Sequence, residues 1–258
     1  MPSRLHPAAP WNHRMPNVRY ALCALAILST GCASLAQPDP LEPVNRKIFS
    51  LNEGVDQVVL QPAAKAYKTV VPEVAQTGVS NFFSNWQNPW SSVNLMLQGR
   101  VGEGMTTLAR FGTNTTVGAL GFVDVASGWG MPHRKEDFGL TLDTWGVGTG
   151  PYLVMPLFGP SNARDVFASQ VDGLGNPKNQ ISSVSVKNSL TAVQVVSQRA
   201  HHLGASELVD QAALDKYLLM RDAHLKKRNR AAQAKDAVTQ VAMEESSDSW
   251  QGGAAADR

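Results

Sequence analysis

The sequence predicts an all-α chain held in one leaflet of a membrane, and three observations predict it. Apolar residues recur at steps of three and four along much of the chain between Val44 and Leu225, the period of helices with one apolar stripe. Charged residues make up 17% of the 258 residues, against roughly 25% in ordinary soluble domains. Two stretches, 111–127 and 138–161, are too rich in Gly, Thr and Pro for straight helices and too apolar for ordinary loops. Irregular backbone of that kind must be shielded by protein or line a wet cavity when it lies in a bilayer, which points to a monotopic arrangement.

The N-terminus reads as an export signal. Arg14 and Arg19 are a basic n-region, Tyr20 to Leu28 an apolar run, and Ser29, Thr30 and Gly31 small residues before Cys32. The run is far short of the roughly 20 residues a spanning helix needs, so residues 1–31 are expected to be cleaved. Met15 opens a more ordinary signal than Met1, which leaves the first 14 residues as surplus. Cys23 departs with the signal, so no disulfide is available to the mature chain and its core rests on burial alone. The Gly31-Cys32 junction resembles the lipobox of bacterial lipoproteins, with Ser29 standing where that pattern usually has an aliphatic residue. The resemblance makes Cys32 the lipid attachment residue, and Ala33 after it implies sorting to the outer membrane. A plain secreted chain with an incidental cysteine is the alternative.

Removing the signal leaves 20 Lys+Arg against 21 Asp+Glu, a near-neutral chain with no basic face for nucleic acid. The remaining 227 residues are enough for one large domain or two small ones. Residues 32–38 form a tether. A helix then opens with Asp39 as expected N-cap, Pro40 as first helical residue and Glu42 as third. Val44, Ile48, Leu51, Val55 and Val58 make its apolar stripe; Asn45, Asn52 and Asp56 fall beside it, either as a polar wall or as solvated residues of an ordinary amphipathic helix.

Pro62 and Pro72 punctuate the next stretch, and Pro72 is expected to start a helix carrying Ala75, Val79, Phe82 and Trp86. Asn88-Pro89 is expected to end it, with "WSSVNLMLQG" resuming as a short helix closed by Gly99. Trp86 and Trp90 suit either a membrane interface or a packed core. Val101, Met105, Leu108 and Gly112 carry a further helical period. From Ile181 the chain reads helical again. Ser206 is the expected N-cap of a last helix with Leu214, Tyr217, Leu218 and Leu225 on one stripe, and residues 229–258 are its end and a disordered tail.

Chemistry-bearing signatures are lacking: there is no G-x-S-x-G, H-E-x-x-H or C-x-x-C. Adjacent His201 and His202 point to different sides of a helix and suit a metal poorly. Glu136-Asp137 reads as an exposed loop. No catalytic residue, metal ligand or cofactor is expected.

Five ordered blocks are nonetheless specific: "DPLEPVNRKIFSLNEGVD", "VSNFFSNWQNPWSSVNLMLQG", "RFGTNTTVGALGFVDVAS", "EDFGLTLDTWGVGTGPYLVMPLFGPSNARD" and "DKYLLMRDAHLKKR". Together they resemble the MlaA/VacJ lipoprotein family over residues 39–228. That resemblance implies a single ring-shaped helical domain in the inner, periplasmic leaflet of the outer membrane, with a central amphipathic channel. It also implies a role in removing phospholipids mislocalised to the outer leaflet, together with a trimeric porin and a periplasmic phospholipid carrier. On this expectation Asn45, Asn52 and Asp56 line the channel, with Asn114, Thr115, Thr116 and Asp124 as a second set. Gly139, Gly146, Gly148 and Gly150 are either a gating loop or simple turns. A structural lipoprotein without transport activity and a lipid hydrolase are the remaining alternatives.

Overall fold

The computed structural model describes residues 39–229; the expected signal peptide, Cys32 with its expected tether, and the tail expected beyond 229 lie outside the described residues. The first helix, α1, runs Glu42–Val55. The helix starts two residues later than expected, with Leu41 rather than Asp39 as its N-cap, and the Asp39 carboxylate instead accepts the Leu41 N–H at 3.1 Å in an Asx turn. Pro62 does not interrupt the chain. The helical run widens to π geometry over Asp56–Leu60, with the Gln61 N–H donated five residues back to Asp56 O, and continues as α2, Gln61–Val70. A proline has no N–H for the carbonyl four residues earlier, and one π turn absorbs the mismatch without breaking the run.

Pro72 caps α3, which runs Glu73–Leu97 straight through Pro89, so the expected break at Asn88-Pro89 is not formed. An interior proline costs about 3 kcal/mol. Here α3 is braced on both sides of it by the antiparallel helix α4, Val101–Thr116, through Asn85 Nδ2 to Thr115 Oγ1 at 3.1 Å and Ser92 Oγ to Gly104 O at 2.8 Å. Tertiary packing therefore overrides the local preference. Gly99 closes α3 as expected. At φ +79° it lets Arg100 N–H reach Leu95 O and its own N–H reach Met96 O, the paired bonds of a Schellman motif.

After α4 come the one-turn α5, Val125–Gly128, and α6, Phe138–Thr144, each begun by an aspartate cap, Asp124 and Asp137. A hairpin the helical reading did not anticipate follows. β1, Tyr152–Met155, pairs antiparallel with β2, Gly159–Asn162, in the register Tyr152 to Asn162 and Val154 to Pro160. Four apolar residues are too short a run for periodicity to tell strand from helix. Asn162 then caps α7, Ala163–Gly175, and a 3-10 turn over Pro177–Gln180 leads to α8, Val184–His201. The expected last helix is two: α9, Leu203–Ala212, and α10, residues 216–229. Ser206 lies inside α9 and donates to His202 O, while Asp215 caps α10 by accepting the Leu218 N–H at 3.1 Å. Leu214 sits in the break, 108% exposed, off the stripe predicted for it.

α3 packs on α4, α2 on α8, α6 on α7 and α1 on β1. Two small apolar clusters tie the ends together: Ala64, Ala200 and Leu203, and Tyr152, Val154 and Tyr217 with Ile48, Phe49, Leu218 and Leu225 against them. Burial is otherwise inverted. Among the described residues eleven apolar side chains are buried against fifteen polar or charged ones. The predicted stripes Val44, Leu51 and Val58 on the first run and Val101, Met105 and Leu108 on α4 are exposed. The buried side of α4 is Gly104, Thr107, Arg110 and Asn114. Among the described residues no helix is long and apolar enough to cross a membrane.

Candidate functional site: a polar interior behind an apolar exterior

Asn45 and Asn52 stand two helical turns apart on α1 and face β1. Asn45 Nδ2 donates to Tyr152 O at 3.1 Å and its Oδ1 accepts the Val154 N–H at 2.9 Å. Asn52 repeats the pattern, with Nδ2 to Met155 O at 3.0 Å and Leu157 N–H to Oδ1 at 2.8 Å. Each amide takes one carbonyl and offers one acceptor, as a neighbouring strand would. Asn45, 1% exposed, also donates to Asp39. The Tyr217 hydroxyl donates to the same carboxylate, joining α10 to the start of α1. Burial, with Asp39 nearby, pushes the Tyr152 phenol up to about 12.

Asp56 follows on the same face, inside the π turn. It holds Arg199 of α8 in a two-pronged pair, Nε to Oδ1 at 2.7 Å and Nη2 to Oδ2 at 2.8 Å, and Arg199 also donates to Ser206 Oγ at 2.8 Å. Hydrogen bonding to Asp56 raises the Arg199 pKa against the lowering effect of burial. The expected stripe is thus one continuous face, and all three residues point at other parts of the protein. Asn45 in particular, buried with both ends of its amide engaged, presents no polar atom to an open passage.

The second expected set converges on Arg110. That guanidinium, 4% exposed, donates to Asp124 Oδ2 at 2.5 Å, Ser127 Oγ at 2.9 Å and Met131 O at 2.6 Å. Asn114 donates to Asp124 Oδ1 at 3.0 Å and accepts the Ala126 N–H at 2.9 Å. Burial raises the Asp124 pKa, but hydrogen bonds from Ser127, Asn114 and Arg110 outweigh it and hold the group down at about 2. Thr115 accepts from Asn85, while Thr116 spends its hydroxyl on Gly112 O in its own helix.

Sequence reasoning missed the partner face on α3. Asn85, Asn88, Ser91, Ser92 and Asn94 are all buried there. Asn88 donates to Asn85 Oδ1 at 3.1 Å, and Asn94 Oδ1 accepts from Thr141 of α6 at 2.8 Å. The signal was present, since Asn81, Asn85, Asn88 and Ser92 repeat at helical spacing opposite Val93 and Leu97. Phe82, Phe83 and Trp86 drew the reading to the aromatic stripe instead. Glu136 is likewise no exposed loop residue: it accepts from Arg100 at 3.1 Å and Gln98 at 3.2 Å. The Trp90 indole N–H donates to Asp172 at 2.7 Å, within the protein.

The four glycines fall in unlike places. Gly139 is packed in α6, where an added Cβ would meet Asp165 Oδ1 at 2.5 Å. Gly146 ends that helix at φ +85° in a second Schellman pair, with Val147 N–H to Leu142 O and its own N–H to Asp143 O. Gly148 has open space around it, and Gly150 lies against Ala163. Buried Arg164 pins the segment by donating to Val147 O at 3.1 Å while pairing with Asp143. Among the described residues no group of His, Cys, Asp and Glu is arranged to hold a metal ion.

A family model described as MlaA lipoprotein matches residues 37–231. The chain belongs to the MlaA lipoprotein family. The MlaA intermembrane phospholipid transport system lipoprotein of Escherichia coli K12 is 34% identical over 230 residues, covering 82% of this chain and 88% of that protein. Its Haemophilus influenzae counterpart is 31% identical over 218 residues, covering 77% and 84%. A solved structure from work on the structural basis for maintenance of bacterial outer membrane lipid asymmetry matches at TM-score 0.67 and 32% identity, covering 76% of this chain and 100% of that one. The MlaA fold is therefore shared, and the largely helical prediction holds, with the hairpin added.

Proposed function

We propose that this chain takes part in intermembrane phospholipid transport that maintains outer-membrane lipid asymmetry, by passing mislocalised outer-leaflet phospholipids along a polar channel through a ring of helices. The observation that carries this reading is the inverted burial: apolar side chains outward and polar ones inward, the distribution wanted by a body surrounded by acyl chains. Such a protein needs no covalent step. A charged headgroup crossing hydrocarbon meets a barrier of several kcal/mol or more. Fixed hydrogen-bonding groups lower it, while the tails stay in apolar surroundings and forfeit little of the ~0.8 kcal/mol per methylene.

On this reading Thr115 and Asp124, each partly open, supply polar surface to the wall, and Asn45, Asn52, Asp56 and Asn114, whose polar atoms are taken by neighbouring elements, hold that wall from behind. Thr116 contributes chiefly its methyl group. The open position at Gly148 is the flexible point of the loop, and Gly139, Gly146 and Gly150 frame it. Cys32 is the acylated residue that keeps the protein on the periplasmic leaflet. A trimeric porin and a soluble periplasmic phospholipid carrier are the partners the reading requires.

The deciding experiment is the outer-leaflet phospholipid content of a strain lacking this gene. Accumulation reversed by the wild-type gene is the expected result. An unchanged outer leaflet points to a purely structural lipoprotein, and release of fatty acid or lysophospholipid by the purified protein points to a hydrolase.

A further inference from the structure

The hairpin turn 156–158, Pro-Leu-Phe, presents Leu157 at 70% and Phe158 at 83% exposure, among the most exposed large apolar side chains described. Leu157 is held at φ +65°, a left-handed conformation that favours glycine, so the chain accepts backbone strain to keep a bulky apolar residue at this point. Side chains of the first helix cover part of the polar backbone that leads into the turn. Pro156 has no N–H. The Leu157 N–H goes to Asn52, and the Met155 carbonyl accepts from the same side chain. Along the strand's outer edge Tyr152 O and Val154 N–H are taken by Asn45, and Pro160, in register with Val154, adds no donor. A turn meant for water has no need of such cover, because water satisfies it. Hydrocarbon does not, and an open sheet edge is excluded there.

We propose that the hairpin tip formed by Pro156, Leu157 and Phe158 inserts into the acyl layer of the membrane, with Asn45 and Asn52 masking backbone polarity along β1 and at the Leu157 amide. The occupant of this surface is lipid rather than protein, since segment 151–159 carries no charge to build the polar rim of a protein interface. β1 advances in the same direction as α1, from Asn45 to Asn52. Further along that helical run Val58 and Val59 are exposed as well. Asp56, which precedes them, is paired with Arg199.

The proposal rests on membrane residence but not on transport, and the test separates the two. Phe158→Cys, and Leu157→Cys as a second site, are labelled with an environment-sensitive fluorophore in the full acylated protein. The protein is reconstituted in phosphatidylethanolamine and phosphatidylglycerol vesicles, with melting behaviour checked against wild type. Quenching by acyl-chain spin labels several-fold stronger than by aqueous iodide is the expected result. Stronger quenching by iodide overturns the proposal, and so does shielding from both quenchers, which means a protein covers the tip. A tip found in water while the gene still clears outer-leaflet phospholipid sinks this inference alone. A tip found in hydrocarbon with no phospholipid phenotype on deletion sinks the transport reading alone.

Discussion

Asn52 and Leu157 are joined by a 2.8 Å hydrogen bond across 105 residues of chain. Because the same amide also donates to Met155 O, it needs both a donor and an acceptor, and only Asn supplies the two at this length. Asn52→Asp keeps size and acceptor but sets a carboxylate oxygen against a carbonyl. The expected outcome is a loss of about 1–3 kcal/mol of local stability. Hydrogen exchange at the Leu157 amide reports it as faster opening of the hairpin, with α3 and α4 unaffected. Unchanged protection at Leu157 means the clamp is not holding the turn.

The Asp56–Arg199 pair ties the π turn to α8, with side chains 22% and 15% exposed. Asp56→Asn leaves a mostly buried guanidinium short of its charge partner and is expected to cost about 1–2 kcal/mol after allowance for screening. Asp56→Asn combined with Arg199→Gln is expected to cost less than the two single changes added. Denaturant melts of all four proteins give the coupling, expected near 1 kcal/mol. Strict additivity contradicts a direct interaction.

Asp124 sets an acid limit on the α4–α5 junction. Its folded pKa of about 2 lies below the unfolded carboxylate value of about 4, so the stability it contributes is present above pH 4 and lost as pH falls toward 2. The contribution is on the order of 1 kcal/mol once partial exposure is discounted. Asp124→Asn is expected to flatten this segment of the stability–pH curve while also leaving buried Arg110 without a carboxylate. Thermal melts at pH 2, 3, 4 and 6 separate the two effects: the pH-independent drop belongs to Arg110, the vanished slope to Asp124.

The helices were readable because their apolar stripes are periodic whichever way they face. Val101, Met105 and Leu108 mark α4 correctly although they lie outside, since periodicity reports a face and not its direction. What faces inward is harder to read. Asn85, Asn88 and Asn94 are polar, and a reader trained on soluble proteins assigns them to solvent. Pro62 and Pro89 misled for another reason: the π turn and the α3–α4 packing that absorb them depend on neighbours distant in sequence. The clamp of Asn45 and Asn52 on β1 was legible only as a polar stripe. Its target lies more than a hundred residues away in a hairpin too short for its alternation to register.

The glycines of 139–150 can be told apart by one substitution each. Gly139→Ala sets a Cβ 2.5 Å from Asp165 Oδ1 and 3.1 Å from Asp137 Oδ1, in a junction where Arg228 binds both carboxylates. Neither carboxylate can retreat without giving up that arginine, so a loss of about 1–3 kcal/mol is expected, with lower abundance in the cell. Gly148→Ala meets nothing within 4 Å and has no positive φ to strain, so stability is expected to stay within about 0.5 kcal/mol of wild type. That makes Gly148→Ala a clean probe of movement. If the loop must flex during lipid passage, the stiffer residue slows phospholipid clearance at unchanged melting temperature; clearance at the wild-type rate shows that the glycines serve the turns alone.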